Sequence, residues 1–240
     1  MLPLDSLLVI DIETVSQSPD WASMDDYWKQ LWEQKIEKQL PDGENPESFY
    51  PKRAAILAEF GKVICISAGY FRVQDGKAVF RVKSYAGHDE AVLLKQFIKE
   101  AGQWQAKKKS AAFAGHNIRE FDIPYLCRRL VINHLPIPAW LDFQAMKPWE
   151  ANLVDTMQLW RFGDYKNYTS LNLLAACLGV PSPKGDIDGS KVGEVYWGEK
   201  GIDRIAAYCQ KDVVTVAQIL LRFRNLELLG DGDVEVVNSE

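Results

Sequence analysis

Residues 7–15, LLVIDIETV, decide how this chain is read. The run of Leu, Val and Ile suits a buried strand, yet Asp11 and Glu13 stand near its end. Side chains at i and i+2 of a strand leave the same face, so both carboxylates point the same way. Two like charges held that close repel each other and resist desolvation. A bound cation would account for them.

Working outward, a strand is expected over 7–12 and no sheet pattern over 16–58. That segment reads as a Trp-bearing helix around 24–39, a Pro/Gly/Asn loop and a short helix. Strands return at 62–73 and 77–85, joined by a Gln-Asp-Gly turn that predicts a hairpin. Apolar residues at 91, 94, 97, 98 and 101 predict a helix over about 88–106, with Asp89 capping it. A short buried strand follows at 110–117, then a helix at 122–132 with Pro124 in its first turn. Residues 134–152 look irregular. A strand edge running into a helix is expected at 152–160, and a helix at 170–179 stopped by Gly179. Residues 181–192 read as a loop, 201–229 as a long helix, and about 230–240 as a frayed acidic tail. A hairpin followed by alternating helices and strands implies an α/β fold with a mixed sheet. One domain across residues 1–240 is expected, with 16–58 as an insertion.

Bulk properties bound the function. A net charge of −5 argues against a general electrostatic grip on nucleic acid, so a polyanion partner would need local basic patches or bound cations. The apolar run at 7–10 is far too short to span a bilayer and no basic segment precedes it, which leads us to expect a cytoplasmic protein without a membrane partner. Cys65, Cys127, Cys177 and Cys209 form no C-x-x-C pair and lie among apolar residues. Buried free thiols are expected, and zinc is not.

Asp-x-Glu occurs three times, at Asp11/Glu13, Asp42/Glu44 and Asp233/Glu235, but only the first lies in a buried strand. In GHNIREFDIPYL (115–126), Asp122 suits either a helix N-cap or a functional acid. Asn117 would close the turn there, and His116 would make local hydrogen bonds. In AAYCQKDVV (206–214), Tyr208 and Asp212 are four apart in a helical pattern and share one face.

Together these motifs resemble the D-E-D-D exonucleases. DIET (11–14) looks like the first exonuclease motif of the family-B DNA polymerase proofreading domain, HNIREFDIPYL (116–126) its second, and YCQKD (208–212) the third motif of the tyrosine subgroup. The other subgroup has histidine where this chain has Ala207. From DIET through EFGKVICIS, KGDIDGSKV and IAAYCQKDVV, residues 7–225 resemble the predicted 3′–5′ exonucleases related to that domain. The resemblance implies a ribonuclease H-like fold, a mixed five-stranded sheet flanked by helices. It also implies an exonuclease working alone, since no polymerase region follows.

By the same resemblance, two divalent ions would be held by Asp11, Glu13, Asp122 and Asp212, with Asp11 bridging them and Tyr208 acting on the attacking water. With no His or Cys expected nearby, the oxygen ligands point to Mg²⁺ or Mn²⁺. The expected partner is the 3′ end of a nucleic acid, single-stranded DNA by preference, and the product a 5′-mononucleotide. Thr14, Asn117, Phe121 and Lys184 are candidates for substrate binding, with core packing the alternative for Phe121 and a Gly/Asp turn that for Lys184. Trp140 and Trp149 carry no assigned role. Lys107–Lys109 read as a solvated helix end, while Arg128 and Arg129 remain open as substrate contacts. Two other functions stay in view: a noncatalytic nucleic-acid- or protein-binding module on the same fold, and an RNA-trimming 3′–5′ exoribonuclease.

Overall fold

Alternation along one central strand sorts the core into two layers. The computed structural model describes residues 2–74, 77–144, 146–147, 150–164, 166–181 and 187–237. In β1 (Leu7–Ser16), Leu8, Ile10 and Ile12 join one buried cluster while Leu7 and Val9 join another on the opposite face. Around it lie β2 (Gly61–Gln74), β3 (Lys77–Ala86), β4 (Ala112–Gly115), β5 (Leu153–Asp155) and β6 (Val234–Val237), in the order β5-β4-β1-β2-β3-β6. β1 pairs antiparallel with β2 and parallel with β4; β2–β3 is antiparallel, and β4–β5 and β3–β6 are parallel. This is the mixed α/β sheet expected from the sequence. The turn residues of the β2–β3 hairpin, Asp75 and Gly76, lie outside the described residues.

The sheet has six strands where five were expected, because Val234–Val237 of the acidic tail pair with β3 instead of fraying. Val234 packs against the Leu7 and Val9 layer, and Glu235 forms an ion pair with Arg72 of β2. The tail reaches β3 because the last long helix stops early. That helix, α8 (Ile202–Arg222), ends with Leu226 N donating to Leu221 O and Asn225 at φ +52°. Buried Gln218 then holds the returning chain through its side-chain amide, whose oxygen accepts from Leu229 N and whose nitrogen donates to Leu229 O, at 2.9 Å each.

The remaining helices are α1 (Asp26–Ile36), α2 (Pro46–Arg53), α3 (Glu90–Gln105), α4 (Asp122–Ile132), α5 (Thr156–Arg161), α6 (Leu171–Cys177) and α7 (Val192–Trp197). α1 and α2 form the expected helical segment between β1 and β2 and enclose Trp32, Ile36 and Tyr50. Asp89 caps α3 by accepting from Val92 N, and Gly179 at φ +62° follows α6, both as expected. Helix α7 was not expected; Val192, Val195 and Tyr196 bury it against Val15, Ile64 and Cys209. Trp140 stacks on Phe113 with ring centroids 5.7 Å apart, in keeping with a packing role, and Trp149 lies outside the described residues. Among the described residues, no helix is long and apolar enough to cross a membrane.

Arg129 is not a surface cation. Its guanidinium grips the Glu90 carboxylate at 2.6 and 2.8 Å and donates to Ala58 O at 2.8 Å. Glu90 also accepts from Val63 N and from Asn133. The pair ties α3, α4 and β2 together and satisfies its own hydrogen-bonding groups, which excludes Arg129 from contact with a substrate. Removing one partner strands a buried charge, so Arg129→Ala should lower the unfolding free energy by about 3–5 kcal/mol. Exposed Arg128→Ala should change it by less than about 0.5 kcal/mol. Urea denaturation of the two variants checks the difference, and similar midpoints would refute it.

Candidate active site

The odd-numbered face of β1 that buries Leu7 and Val9 continues into Asp11 and Glu13, and α8 packs over it. At Glu13 the β1–β2 register shifts: Glu13 faces Cys65, Thr14 faces Val63, and Ile64 is passed over. Such bulges bend a strand and re-aim side chains. Glu13 is buried and Asp11 half-buried beneath α8. One helical face brings Tyr208, Cys209 and Asp212 to this point, as the spacing implied for the tyrosine and the acid.

Asp122 arrives from the start of α4, but not as its cap. Phe121 occupies the cap position without a side-chain hydrogen bond. The nearby amides are already satisfied by backbone carbonyls: Ile123 N donates to Ile118 O and Tyr125 N to Phe121 O. The Asp122 carboxylate is therefore free to turn inward, where its Oδ1 accepts from Ile12 N of β1 at 3.2 Å. Gly115 begins the connection; a Cβ there would meet Ile10 O at 3.0 Å and Ile118 at 2.9 Å, so only glycine lets β4 end this close to β1.

Ligand atoms of Asp11, Glu13 and Cys209 all lie within 4.8 Å of one another. Cys209 corrects the expectation of a site without thiols, as its Sγ is 3.3 Å from Asp11 Oδ2 and 3.4 Å from Asp11 O. Burial, with Cys65 and the neighbouring carboxylates, pushes its pKa up, so it acts as a neutral donor to Asp11. The other thiols are free; Cys65 is buried, Cys127 half-buried, and Cys177 exposed against expectation.

Burial raises all four carboxylates above their ordinary range. Asp11 is raised further by Asp122 and Asp212, and Glu13 by Asp11 and Asp212. Burial raises Asp122 to about 7 against the pull of its backbone donors, and Asp212 to about 6 against the pull of the Tyr208 hydroxyl. Tyr208 is itself raised by burial and then by Asp212 and Glu13, so its hydroxyl keeps its proton. No Lys or Arg pairs with any of the four acids among the described residues. Close oxygen donors with no compensating cation fit one or more divalent metal ions.

The other candidates are placed unevenly. Asn117 sits in the loop before α4 at φ +61°, with its Oδ1 buried and unpartnered among the described residues. Phe121 packs into the core against the Tyr125 ring at 5.3 Å, which favours its packing alternative. Thr14 is buried beside the Tyr125 hydroxyl. Lys184 lies outside the described residues. His116 does not bond within its own loop as expected but across the fold, to Thr156 Oγ1 at 2.9 Å and Thr169 O at 2.8 Å.

Sequence reading missed Asp155 as well as Cys209. Buried Asp155 accepts from Asn117 N and Arg119 N as well as from Met157 N and Gln158 N of α5, so it fixes the loop that delivers Asp122. Its place at a strand-to-helix junction was the available signal.

Over residues 56–233, the sequence matches the family described as predicted 3′–5′ exonucleases related to the exonuclease domain of PolB. The chain belongs to this family. That family is one of predicted 3′–5′ exonucleases, a class of enzyme generally dependent on divalent metal ions. The matched span contains Asp122, Tyr208 and Asp212; β1 precedes it and is joined to it by pairing with β2 and β4.

The fold is similar to that of the family B DNA polymerase from the hyperthermophilic archaeon Pyrobaculum calidifontis, with a TM-score of 0.52 and 18% identity over 90% of this chain. The alignment covers 24% of the polymerase, so the chain spans about a quarter of that protein's length. The RNase domain of the yeast Pop2 protein aligns with a TM-score of 0.39 and 12% identity, over 96% of this chain and 81% of that domain. Comparison with curated proteins gives no significant match.

The raised acids make a prediction for the metal-free protein. Asp122 and Asp212 bind protons more tightly folded than unfolded, so their stabilising contribution is full below about pH 4 and is lost as pH rises through about 6–7. In chelator, thermal midpoints should fall over this window. Asp122→Asn with Asp212→Asn should flatten that fall; parallel slopes for the two proteins would contradict the assignment.

Proposed function

We propose that this chain is a metal-dependent 3′–5′ exonuclease that hydrolyses single-stranded nucleic acid, DNA by preference, from its 3′ end and releases 5′-mononucleotides. The reading treats residues 1–240 as one exonuclease domain, working in the cytoplasm. The observation that carries it is the convergence of four carboxylates from β1, α4 and α8 with no cationic side chain among the described residues to neutralise them. Structural ion clusters are paired, whereas acids left to repel one another suit a metal site.

In this reading Asp11, Glu13, Asp122 and Asp212 would hold two Mg²⁺ or Mn²⁺ ions. When bound, such ions make water nucleophilic near neutral pH and stabilise the leaving 3′-oxygen. The chain's own groups orient the parts. Ile12 N fixes one oxygen of Asp122, and the protonated Cys209 thiol fixes one oxygen of Asp11. The protonated Tyr208 hydroxyl favours positioning the attacking water over removing its proton. Asn117, whose side-chain oxygen has no partner among the described residues, is the better supported of the substrate contacts.

Activity should vanish in chelator and return with Mg²⁺ or Mn²⁺ but not Ca²⁺, whose longer, looser coordination misplaces the reacting atoms. Asp11→Ala and Asp212→Ala should each lower turnover by at least about a thousandfold and leave the fold intact. End-labelled DNA and RNA, single- and double-stranded, serve as substrates. Hydrolysis that persists in excess chelator would rule out the metal assignment, and inertness toward every strand would favour a noncatalytic binding module.

Tyr208→Phe removes one hydroxyl and keeps the ring. Turnover should fall roughly ten- to a thousandfold, in the range orienting and proton-transfer groups supply, with strand affinity little changed. A large loss of affinity at unchanged turnover of bound strand would make Tyr208 a binding contact instead.

A further inference from the structure

The sheet face opposite the acids carries a groove of about 750 Å³ between β3 and α3. Alternation along β3 builds one wall. Phe80 and Val82 turn toward the layer under α8, so Arg81 and Lys83 project to the other face, with Tyr85. The end of α3 and the residues after it supply the other wall. Arg81, Lys83, Lys99, Lys107 and Lys108 line the groove, against the single carboxylate of Glu100.

A chain with net charge −5 has thus gathered five cations around one cavity. Two are partly neutralised: Lys83 bonds to Glu100 at 2.9 Å, and Lys108 pairs with Asp5 at 3.5 Å. Arg81 and Lys107 make no ion pair among the described residues. Aromatic surface lies among the charges. Trp104 and Tyr70 both line the groove, with ring centroids 6.2 Å apart, and the buried Trp104 indole N–H has no hydrogen-bond partner among the described residues.

We propose that this groove binds single-stranded nucleic acid at a site separate from the carboxylate cluster, holding a part of the strand remote from the end being cut. The choice of ligand rests on the function proposed above. Unpaired cations beside aromatic faces suit a phosphate backbone with unstacked bases, where counterion release and stacking supply the affinity. β2 separates β3 from β1, a span of about 10 Å, and the two sites open on opposite faces of the sheet. A short oligonucleotide reaches the acids alone, and only a longer strand passing round the sheet engages both.

The test uses the full chain in chelator and the fluorescence anisotropy of 5′-labelled DNA and RNA 20-mers. Arg81→Ala with Lys107→Ala, shown by its thermal midpoint to be folded, should bind 20-mers about tenfold more weakly. Its log–log salt dependence should be shallower by about 1.4, at about 0.7 per phosphate neutralised. A loss seen with DNA alone or RNA alone names the strand the groove prefers. Turnover of a trimer with Mn²⁺ should not change. Unaltered 20-mer affinity in the double variant overturns the proposal. Trimer turnover falling as far as 20-mer affinity would show that the groove is not separate, and inorganic polyphosphate competing as well as unlabelled 20-mer would remove the assignment to nucleic acid. Because binding is read without metal, an inactive protein that still loses 20-mer affinity in the double variant counts against the proposed activity and not against the groove.

Discussion

Everything at the site depends on a two-residue period in one strand. β1 is central in the sheet, so both of its faces are covered, and each residue is committed to one layer or the other. Leu8, Ile10 and Ile12 commit the even face to α3 and α4. The odd face must then carry Asp11 and Glu13 under α8, the one helix that brings Tyr208, Cys209 and Asp212. A slip of one residue would bury the acids among leucines and phenylalanines and leave the site empty of ligands.

The fold tolerates this cluster by local means. Asp122 turns from its helix to the Ile12 amide, the Cys209 thiol stays protonated and donates to Asp11, and Asp155 gathers four amides to hold the loop between them. Each contact fixes an acid without neutralising it. The site therefore keeps a deficit of positive charge that a divalent ion can fill, which is the opposite of the Glu90–Arg129 pair. There a guanidinium satisfies the carboxylate in full, and the result is a structural tie.

Charge is also divided between the faces of the sheet. Acids collect on the α8 side of β1, while cations collect on the α3 side of β3. Net charge averages over this division. A value of −5 describes neither face, which is why it speaks weakly about a polyanionic partner.

How much of this was legible beforehand follows from the range of each interaction. Strand alternation, helical spacing and capping are local, so DIET, Tyr208 with Asp212, the Asp89 cap and the Gly179 stop could be read directly, and motif order pointed to the exonuclease fold. What only the tertiary structure decided lies in contacts across long sequence separations. Asp122 reads equally as a cap or as a functional acid until the amide of Ile12, 110 residues away, engages its carboxylate. Arg129 stays open as a substrate contact until Glu90 claims it, and the tail reads as frayed until Arg72 holds Glu235. Cys209 reads as one more buried thiol until β1 is laid beneath α8. The sequence by itself settled the central strands, most of the helices and the face each side chain of β1 occupies, because those follow from local periodicity; α7, β6 and the early end of α8 it did not settle. The tertiary structure alone decided which polar group meets which, because a side chain with several possible partners is resolved only by the partner that packing brings within reach.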